Sequence, residues 1–330
     1  VIADKRRIRI AGTGFYVPEQ ILTNADLERM VDTSDEWITT RSGIKERHIA
    51  RADETTSDMC LEAARRALSN AHLEPADIDM IIITTVTPDQ PLPTTACFVQ
   101  AGLGLPNIPA FDMAAACTGF IYGLSVSEGL ILSGTARRVL LISAEILTKV
   151  TNWKDRTTCV LFGDGAGAAI LEESRDESGL LSTFLGADGS LSQLLYIPAG
   201  GTRSPASVQT VAENHHTIIM KGNEVFKHAV KRMGESADAA LKTAGLTKEQ
   251  VDVFIPHQAN IRIIEAVGER LKIPRERVYV NIERYGNVSA ATIPIAIHEL
   301  RQLKRFKPGS IMLLSAFGGG FTWGAAVYRW

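Results

Sequence analysis

One cysteine sits at the junction of two unlike runs in Phe111-Asp-Met-Ala-Ala-Ala-Cys-Thr-Gly-Phe-Ile-Tyr-Gly-Leu124. Before it, residues 108–113 read as a short apolar strand. After it, Phe120, Ile121, Leu124, Val126, Leu130 and Leu132 recur in a helix that ends near Gly134. With few charges on any side, such a helix belongs inside a protein. Cys117 then falls at its first turn, facing unpaired backbone N–H groups and the positive end of the helix dipole. Both favour thiolate over thiol, which makes a cysteine a nucleophile near neutral pH. The plainer reading is a buried structural thiol.

Two further residues could work beside it. His257 stands in Phe254-Ile-Pro-His-Gln-Ala-Asn260, directly after an apolar strand, and Asn287 in Tyr285-Gly-Asn-Val-Ser-Ala290, at the turn into an apolar helix. Catalytic groups usually sit at such strand and helix ends. Histidine serves as acid, base or donor, and asparagine donates to an oxyanion without changing charge. Singly, each has a plainer role: a satisfied strand-end histidine, and a turn residue tolerating positive φ.

The elements that position these residues alternate along the chain. Residues 8–12 read as a strand, 25–31 as a helix, and 32–51, with Trp37 and Arg41, as a polar irregular stretch. A helix over 57–72, a strand over 78–86, a helix over 96–103, a strand over 139–143 and, after the glycines of 163–167, a strand over 168–171 follow. This rhythm predicts a mostly parallel sheet with helices on both faces.

The second half repeats the first. Ala67-Leu-Ser-Asn-Ala-His-Leu-Glu-Pro-Ala-Asp-Ile-Asp79 matches Ala240-Leu-Lys-Thr-Ala-Gly-Leu-Thr-Lys-Glu-Gln-Val-Asp252 without gaps, 173 residues on. Val139-Leu-Leu-Ile-Ser-Ala144 answers Ile311-Met-Leu-Leu-Ser-Ala316, 172 residues on. The chain therefore reads as duplicated halves, 1–175 carrying the cysteine and 176–330 carrying the histidine and asparagine. Cys117 falls opposite Ser289 or Ala290, so packing the halves face to face brings all three residues to one centre.

A net charge of −2 argues against a nucleic-acid binder. The four cysteines are far apart, with no metal-ligand spacing, which fits free thiols in a reducing compartment. No apolar run approaches a membrane span and residues 1–10 hold no signal-peptide core, so a cytoplasmic protein without metal is expected.

The motifs Thr33-Ser-Asp-Glu-Trp-Ile-Thr-Thr-Arg-Ser-Gly-Ile-Lys-Glu-Arg-His48, Ala115-Ala-Cys-Thr-Gly-Phe120, Phe162-Gly-Asp-Gly-Ala-Gly-Ala168, Gly222-Asn-Glu-Val-Phe-Lys227, Pro256-His-Gln-Ala-Asn-Ile-Arg262 and Ala316-Phe-Gly-Gly-Gly-Phe-Thr-Trp-Gly324 occur in this order. Together they resemble the β-ketoacyl-acyl carrier protein synthase III family of the thiolase superfamily, over nearly the whole chain. The resemblance implies a five-layered αβαβα fold, a homodimer, and a Cys-His-Asn triad on Cys117, His257 and Asn287. It implies condensation of a primer acyl-CoA with malonyl-acyl carrier protein through an acyl-cysteine, with loss of carbon dioxide and no cofactor.

It further implies that the backbone N–H groups of Cys117 and Gly319 hold an oxyanion. Trp37, Arg41, Arg156, Gly222 and Asn260 would bind CoA. Arg262 would meet the carrier protein, although Glu269 departs from a basic residue expected near there. Leu92 would cap the partner's acyl pocket, and its intermediate size implies primers longer than acetyl. Gly163-x-Gly-x-Gly167 leads into a strand, not a helix, so it reads as tight packing rather than a phosphate cradle. The run Arg301 to Lys307 reads as a solvated helix end. Competing readings are a polyketide or quinolone synthase with the same triad, a Cys-His-Asn thioester hydrolase, and a non-catalytic acyl-carrier binder.

Overall fold

Strand β1 (Ile8–Tyr16) opens the first half, and the antiparallel pair β2 (Gln20–Thr23) and β3 (Glu46–Ile49) encloses helices α1 (Asn24–Glu28) and α2 (Asp35–Ser42). Then follow α3 (Thr56–Ala71), β4 (Met80–Thr84), α4 (Thr95–Gly102), β5 (Ala110–Met113), α5 (Gly119–Leu132), β6 (Arg138–Ile146) and β7 (Asp164–Glu173). The second half begins with β8 (Gly179–Ala187), β9 (Leu195–Tyr196), α6 (Val208–Ala212), β10 (Ile219–Met220) and α7 (Gly222–Ala244). It ends with β11 (Val253–Pro256), α8 (Ile261–Leu271), α9 (Ile282–Tyr285), α10 (Thr292–Gln302), β12 (Ile311–Gly318) and β13 (Thr322–Arg329). The structure is a computed structural model that describes residues 6–330. Residues 1–5 of the stretch expected to lack a signal peptide lie outside it.

Two sheets carry the chain, in the orders β1-β7-β6-β4-β5 and β11-β12-β13-β8. Each is mixed rather than mostly parallel. β4 runs parallel to β5 and β6, and β11 to β12, where a helix makes the crossover. β6 to β7 and β12 to β13 are joined without one, so these pairs are antiparallel.

Strand periodicity sorts the core into layers. Ile82 and Leu141 face inward with Phe120, Leu124, Ile293, Ile297 and Leu314, while Ile81, Ile83, Leu140 and Ile142 face outward onto Met59 and Ala63 of α3. Leu313 and Val327 face Met233 and Ala237 of α7 on the far side. The order is thus α3 and α4, sheet, α5 and α10, sheet, α7 and α8: the thiolase-like five-layered αβαβα arrangement.

The repeat is visible element by element, 173 residues apart. His72 and Gly245 both end their helices in the left-handed region. Ala116 and Ser289, both non-glycine, hold φ of 45° and 47° ahead of α5 and α10. Pairing register corrects one match: Val139 lies opposite Met80 and Met312 opposite Val253, so Val139 answers Met312 rather than Ile311.

Three other expectations change. The stretch 32–51 is ordered as α2 and β3. Its helix lacks an apolar stripe, and its signal lies in the caps, Ser34 accepting from the Trp37 N–H and Gly43 taking the left-handed close. The glycines 163–167 pack tightly, as expected, but largely inside β7, where a Cβ on Gly167 would lie 2.7 Å from the Pro294 ring. Arg301 is not simply solvated: its guanidinium donates to the Ala11 carbonyl at 3.2 Å.

Candidate active site

Cys117 occupies a single 3-10 turn, Ala116–Thr118, just ahead of α5 rather than inside its first turn. His257 is the first residue beyond β11, where its N–H continues the ladder to the Ser315 carbonyl at 2.8 Å. Its Nδ1 lies 2.8 Å from Thr292 Oγ1 at the start of α10. Asn287 is clamped by its backbone, donating to Leu161 O at 2.9 Å and accepting from Gly163 N at 3.1 Å. Its side-chain carbonyl accepts from the Ser289 N–H at 2.9 Å, which leaves the NH2 as the end with donors to spare.

All three residues line one cavity of about 770 Å³. Trp37, Arg41, Gly222, Asn260 and Arg262 line it too, so most of the residues expected at a nucleotide end are gathered there. The Arg41 guanidinium carbon lies 4.8 Å from the centre of the Trp37 ring, and that of Arg156 lies 5.5 Å from it. Arg156 reaches the site only through that ring and also donates to the Asp32 carbonyl at 2.8 Å. Asn260 caps α8, accepting from the Arg262 N–H at 2.9 Å. Arg262 is exposed, its guanidinium 5.6 Å from the centre of the Phe226 ring.

Leu92 is not among the lining residues. It is 82% exposed in the loop between β4 and α4, away from its own chain's cavity. In the Gly318-Gly-Gly320 run, the close approach to the nucleophile falls on Gly318: a Cβ there would sit 2.7 Å from the Cys117 backbone nitrogen. A Cβ on Gly319 would instead meet Leu195.

Burial sets the resting charges. It pushes the Cys117 thiol up to about 12, against the lowering influence of Ser289 and the backbone, so the helix-end effect expected from sequence does not prevail. Burial likewise pushes His257 down to about 3, leaving a neutral imidazole. The site at rest holds a thiol, an imidazole and a carboxamide, all uncharged.

Two residues near this centre escaped sequence reasoning, Thr292 and Glu145, while Ser289 entered it only as a position opposite Cys117 in the repeat. Glu145 lies near the end of β6 with no solvent exposure, and burial pushes its carboxyl up to about 7. One signal was available, a lone acid closing the apolar run Val139 to Ala144. Among the described residues no group of three or more His, Cys, Asp or Glu could hold a metal ion, and no helix is long and apolar enough to cross a membrane.

Comparison with known proteins shows the family to which the chain belongs. Residues 111–189 match the family model for 3-oxoacyl-[acyl-carrier-protein (ACP)] synthase III, and residues 241–330 match that for its C-terminal region. The chain is 54% identical over 329 residues to the beta-ketoacyl-[acyl-carrier-protein] synthase III of Caldanaerobacter subterraneus subsp. tengcongensis, covering 100% of this chain and 99% of that one. It is 54% identical to the Roseiflexus castenholzii protein of that name, over 97% of both. The crystal structure of 3-oxoacyl-[acyl-carrier-protein] synthase III from Aquifex aeolicus superposes with a TM-score of 0.91 at 49% identity, covering 99% of this chain and 100% of that one.

Proposed function

Because the chain belongs to the β-ketoacyl-[acyl-carrier-protein] synthase III family, we propose that Cys117, His257 and Asn287 carry its reaction in two halves within one cavity. The protein is an acyltransferase that condenses acyl-CoA with malonyl-acyl carrier protein to initiate fatty acid synthesis.

In the first half, CoA lies with its nucleotide end at Trp37, between Arg41 and Arg156, and along Gly222 and Asn260. Stacking on an aromatic ring flanked by guanidinium groups suits a flat base with phosphates nearby. Cys117 attacks the thioester carbonyl, and the backbone N–H groups of Cys117 and Gly319 hold the oxyanion. Acyl-cysteine and free CoA result.

In the second half, malonyl-acyl carrier protein approaches past Arg262 and loses carbon dioxide. Negative charge grows on the malonyl thioester oxygen, where the Asn287 NH2 and the His257 imidazole donate to it. Both are neutral donors, so they stabilise the developing charge without binding the starting carboxylate as a salt bridge. The carbanion then attacks the acyl-cysteine carbonyl and forms the carbon–carbon bond. The chemistry draws on no cofactor.

The reading extends to assembly. Residues 1–175 and 176–330 are taken as the two halves, and two chains as a homodimer. In support, β5 forms an edge of its sheet, and Val86, Leu92 and Phe98 are exposed on segments next to it. Leu92 would then reach the partner's acyl pocket. A cytoplasmic setting fits the four free cysteines.

The observation that carries this reading is the meeting of Cys117, His257 and Asn287 on one cavity wall with Trp37 and Arg41. Intact-protein mass spectrometry after incubation with acyl-CoAs, followed by peptide mapping, tests it. An acyl adduct on Cys117 that yields a 3-oxoacyl product with malonyl-acyl carrier protein is expected. An adduct that only releases free acid would make the protein a hydrolase instead.

A further inference from the structure

The donors used in carbon dioxide loss stand on two separate arms, His257 just beyond β11 and Asn287 ahead of α10. An oxyanion between them is held only if the arms keep one separation. We propose that Glu299 on α10 is the positioning residue that fixes it, its carboxylate tying the His257 arm to the Asn287 arm without touching substrate. The proposal rests on the reading of the reaction as two halves.

The Glu299 carboxylate accepts four side-chain donors, all from residues 279–285, and its two oxygens divide them. Oε2 accepts from the Tyr279 hydroxyl at 3.1 Å and the Asn281 NH2 at 2.5 Å. Oε1 accepts from the Arg284 guanidinium at 2.7 Å and the Tyr285 hydroxyl at 2.9 Å. Its side chain is 11% exposed. Burial, and then the Glu299 charge, push both phenols up, so each keeps its proton and remains a donor.

Each oxygen serves one arm. On the Oε2 side, the Asn281 N–H donates to Gln258 Oε1 at 3.0 Å. Gln258 Nε2 donates in turn to the Tyr279 carbonyl at 3.2 Å and the Pro256 carbonyl at 2.7 Å. Gln258 follows His257 in the chain, and both are buried. The residues held by Oε2 are therefore the ones that grip the His257 loop. On the Oε1 side, Arg284 and Tyr285 lead directly into Gly286 and Asn287. The Gly286 N–H returns to the Ile282 carbonyl at 2.9 Å and closes α9, so the place of Tyr285 carries over to Asn287. Helix α10 touches the His257 arm again at its start, with Thr292 Oγ1 2.8 Å from His257 Nδ1. Glu299 lies two turns further along that helix on the same face.

The nucleophile is held by other bonds. Thr118 Oγ1 donates to the Ala115 carbonyl at 2.5 Å, and Thr322 Oγ1 lies 2.6 Å from Thr118 Oγ1. A change at Glu299 should therefore separate the two partial reactions. Displacing a donor by about 1 Å costs up to roughly 10²-fold in rate, so small slips of either arm show in carbon dioxide release. A carboxylate that merely stabilised the fold would weaken acylation and decarboxylation together. Glu299→Gln keeps the size of the side chain but turns one acceptor oxygen into an NH2. Whichever way that amide lies, one pair of donors then faces a donor.

The test measures carbon dioxide release from malonyl-acyl carrier protein and acylation of Cys117 by acyl-CoA on the same folded proteins. Glu299→Gln should slow release by roughly 10–10²-fold and leave acylation within about twofold of wild type. Tyr285→Phe and Tyr279→Phe each remove one donor and should slow release a few-fold. Adding Tyr285→Phe to Glu299→Gln should cost less than Tyr285→Phe alone, because both act through one contact. Adding Asn281→Asp to Glu299→Gln gives the new amide a carboxylate to donate to, and should recover part of the lost rate. Wild-type release in Glu299→Gln overturns the proposal, as does equal loss of both partial reactions or simple additivity with Tyr285→Phe. Should Glu299→Gln not fold, unchanged release in both tyrosine variants overturns it instead. A wild type that releases no carbon dioxide would sink the two-half reading itself, and the proposal with it.

Discussion

The carboxamide oxygen of Asn287 accepts the backbone N–H of Ser289 at 2.9 Å. A backbone N–H donates only to the oxygen of an amide, so this contact fixes which way the side chain is turned. Asn287→Asp keeps the acceptor, loses the donor and adds negative charge where negative charge must develop. Carbon dioxide release from malonyl-acyl carrier protein should fall by roughly 10²–10³-fold, the usual effect of losing one oxyanion donor. Acylation of Cys117 should stay within a few-fold of wild type, and retained condensation would remove Asn287 from its role.

Cys117→Ala separates the halves from the other side. No acyl adduct should form with any acyl-CoA, while slow malonyl decarboxylation continues, since its donors stand just beyond β11 and ahead of α10. Intact mass and carbon dioxide release measure the two outcomes. An adduct persisting in this variant would place the nucleophile elsewhere.

Gly318→Ala tests the room around the nucleophile. Its Cβ would lie 2.7 Å from the Cys117 nitrogen and 3.2 Å from the Cys117 Cβ, so the turn must shift. Overpacking of this kind costs about 1–3 kcal/mol. The variant should melt several degrees lower and acylate at least tenfold more slowly (about 1.4 kcal/mol in the barrier). Acylation at the wild-type rate would show that the contact relaxes freely.

Glu145 also makes stability depend on pH. Its carboxyl is raised from an ordinary 4.5 to about 7 in the fold. Below 4.5 it is protonated in native and unfolded chains alike. As pH rises to 7 the unfolded chain gives up the proton first, so native stability falls, by an amount on the order of 3 kcal/mol at the plateau. Asp164 acts in the same direction. His257 acts in the opposite direction, neutral in the fold down to about 3, so its contribution is lost as pH falls below 6.5. Glu145→Gln should therefore gain stability relative to wild type between pH 5 and pH 8 (roughly either side of the Glu145 shift), read by urea denaturation. A constant difference across that range would contradict the assigned burial cost.

Leu92, 82% exposed on its own chain, is predicted to set primer length from across the dimer. Wild type should accept acyl-CoA primers longer than acetyl. Leu92→Ala should shift the preference toward longer chains and Leu92→Trp toward shorter ones, measured by kcat/KM over a primer series. A strict acetyl preference in wild type, or an unmoved profile in both variants, would refute this.

By itself the sequence determined what is local along the chain. The strand-to-helix switch around Cys117, the strand end at His257, the turn at Asn287 and the repeat are all written in short-range periodicity and punctuation. The family motifs, also contiguous, placed Trp37 and Arg41 beside them. Only the tertiary structure decided what depends on residues far apart. It set Arg156 on the Trp37 ring, gave the close glycine to Gly318, and joined Thr292 to His257. The same holds for charge. A helix start, which sequence can show, favours a thiolate, but burial by both halves outweighs it and leaves a thiol. Desolvation and hydrogen bonding are sums over neighbours in space, and no window along the chain contains those neighbours.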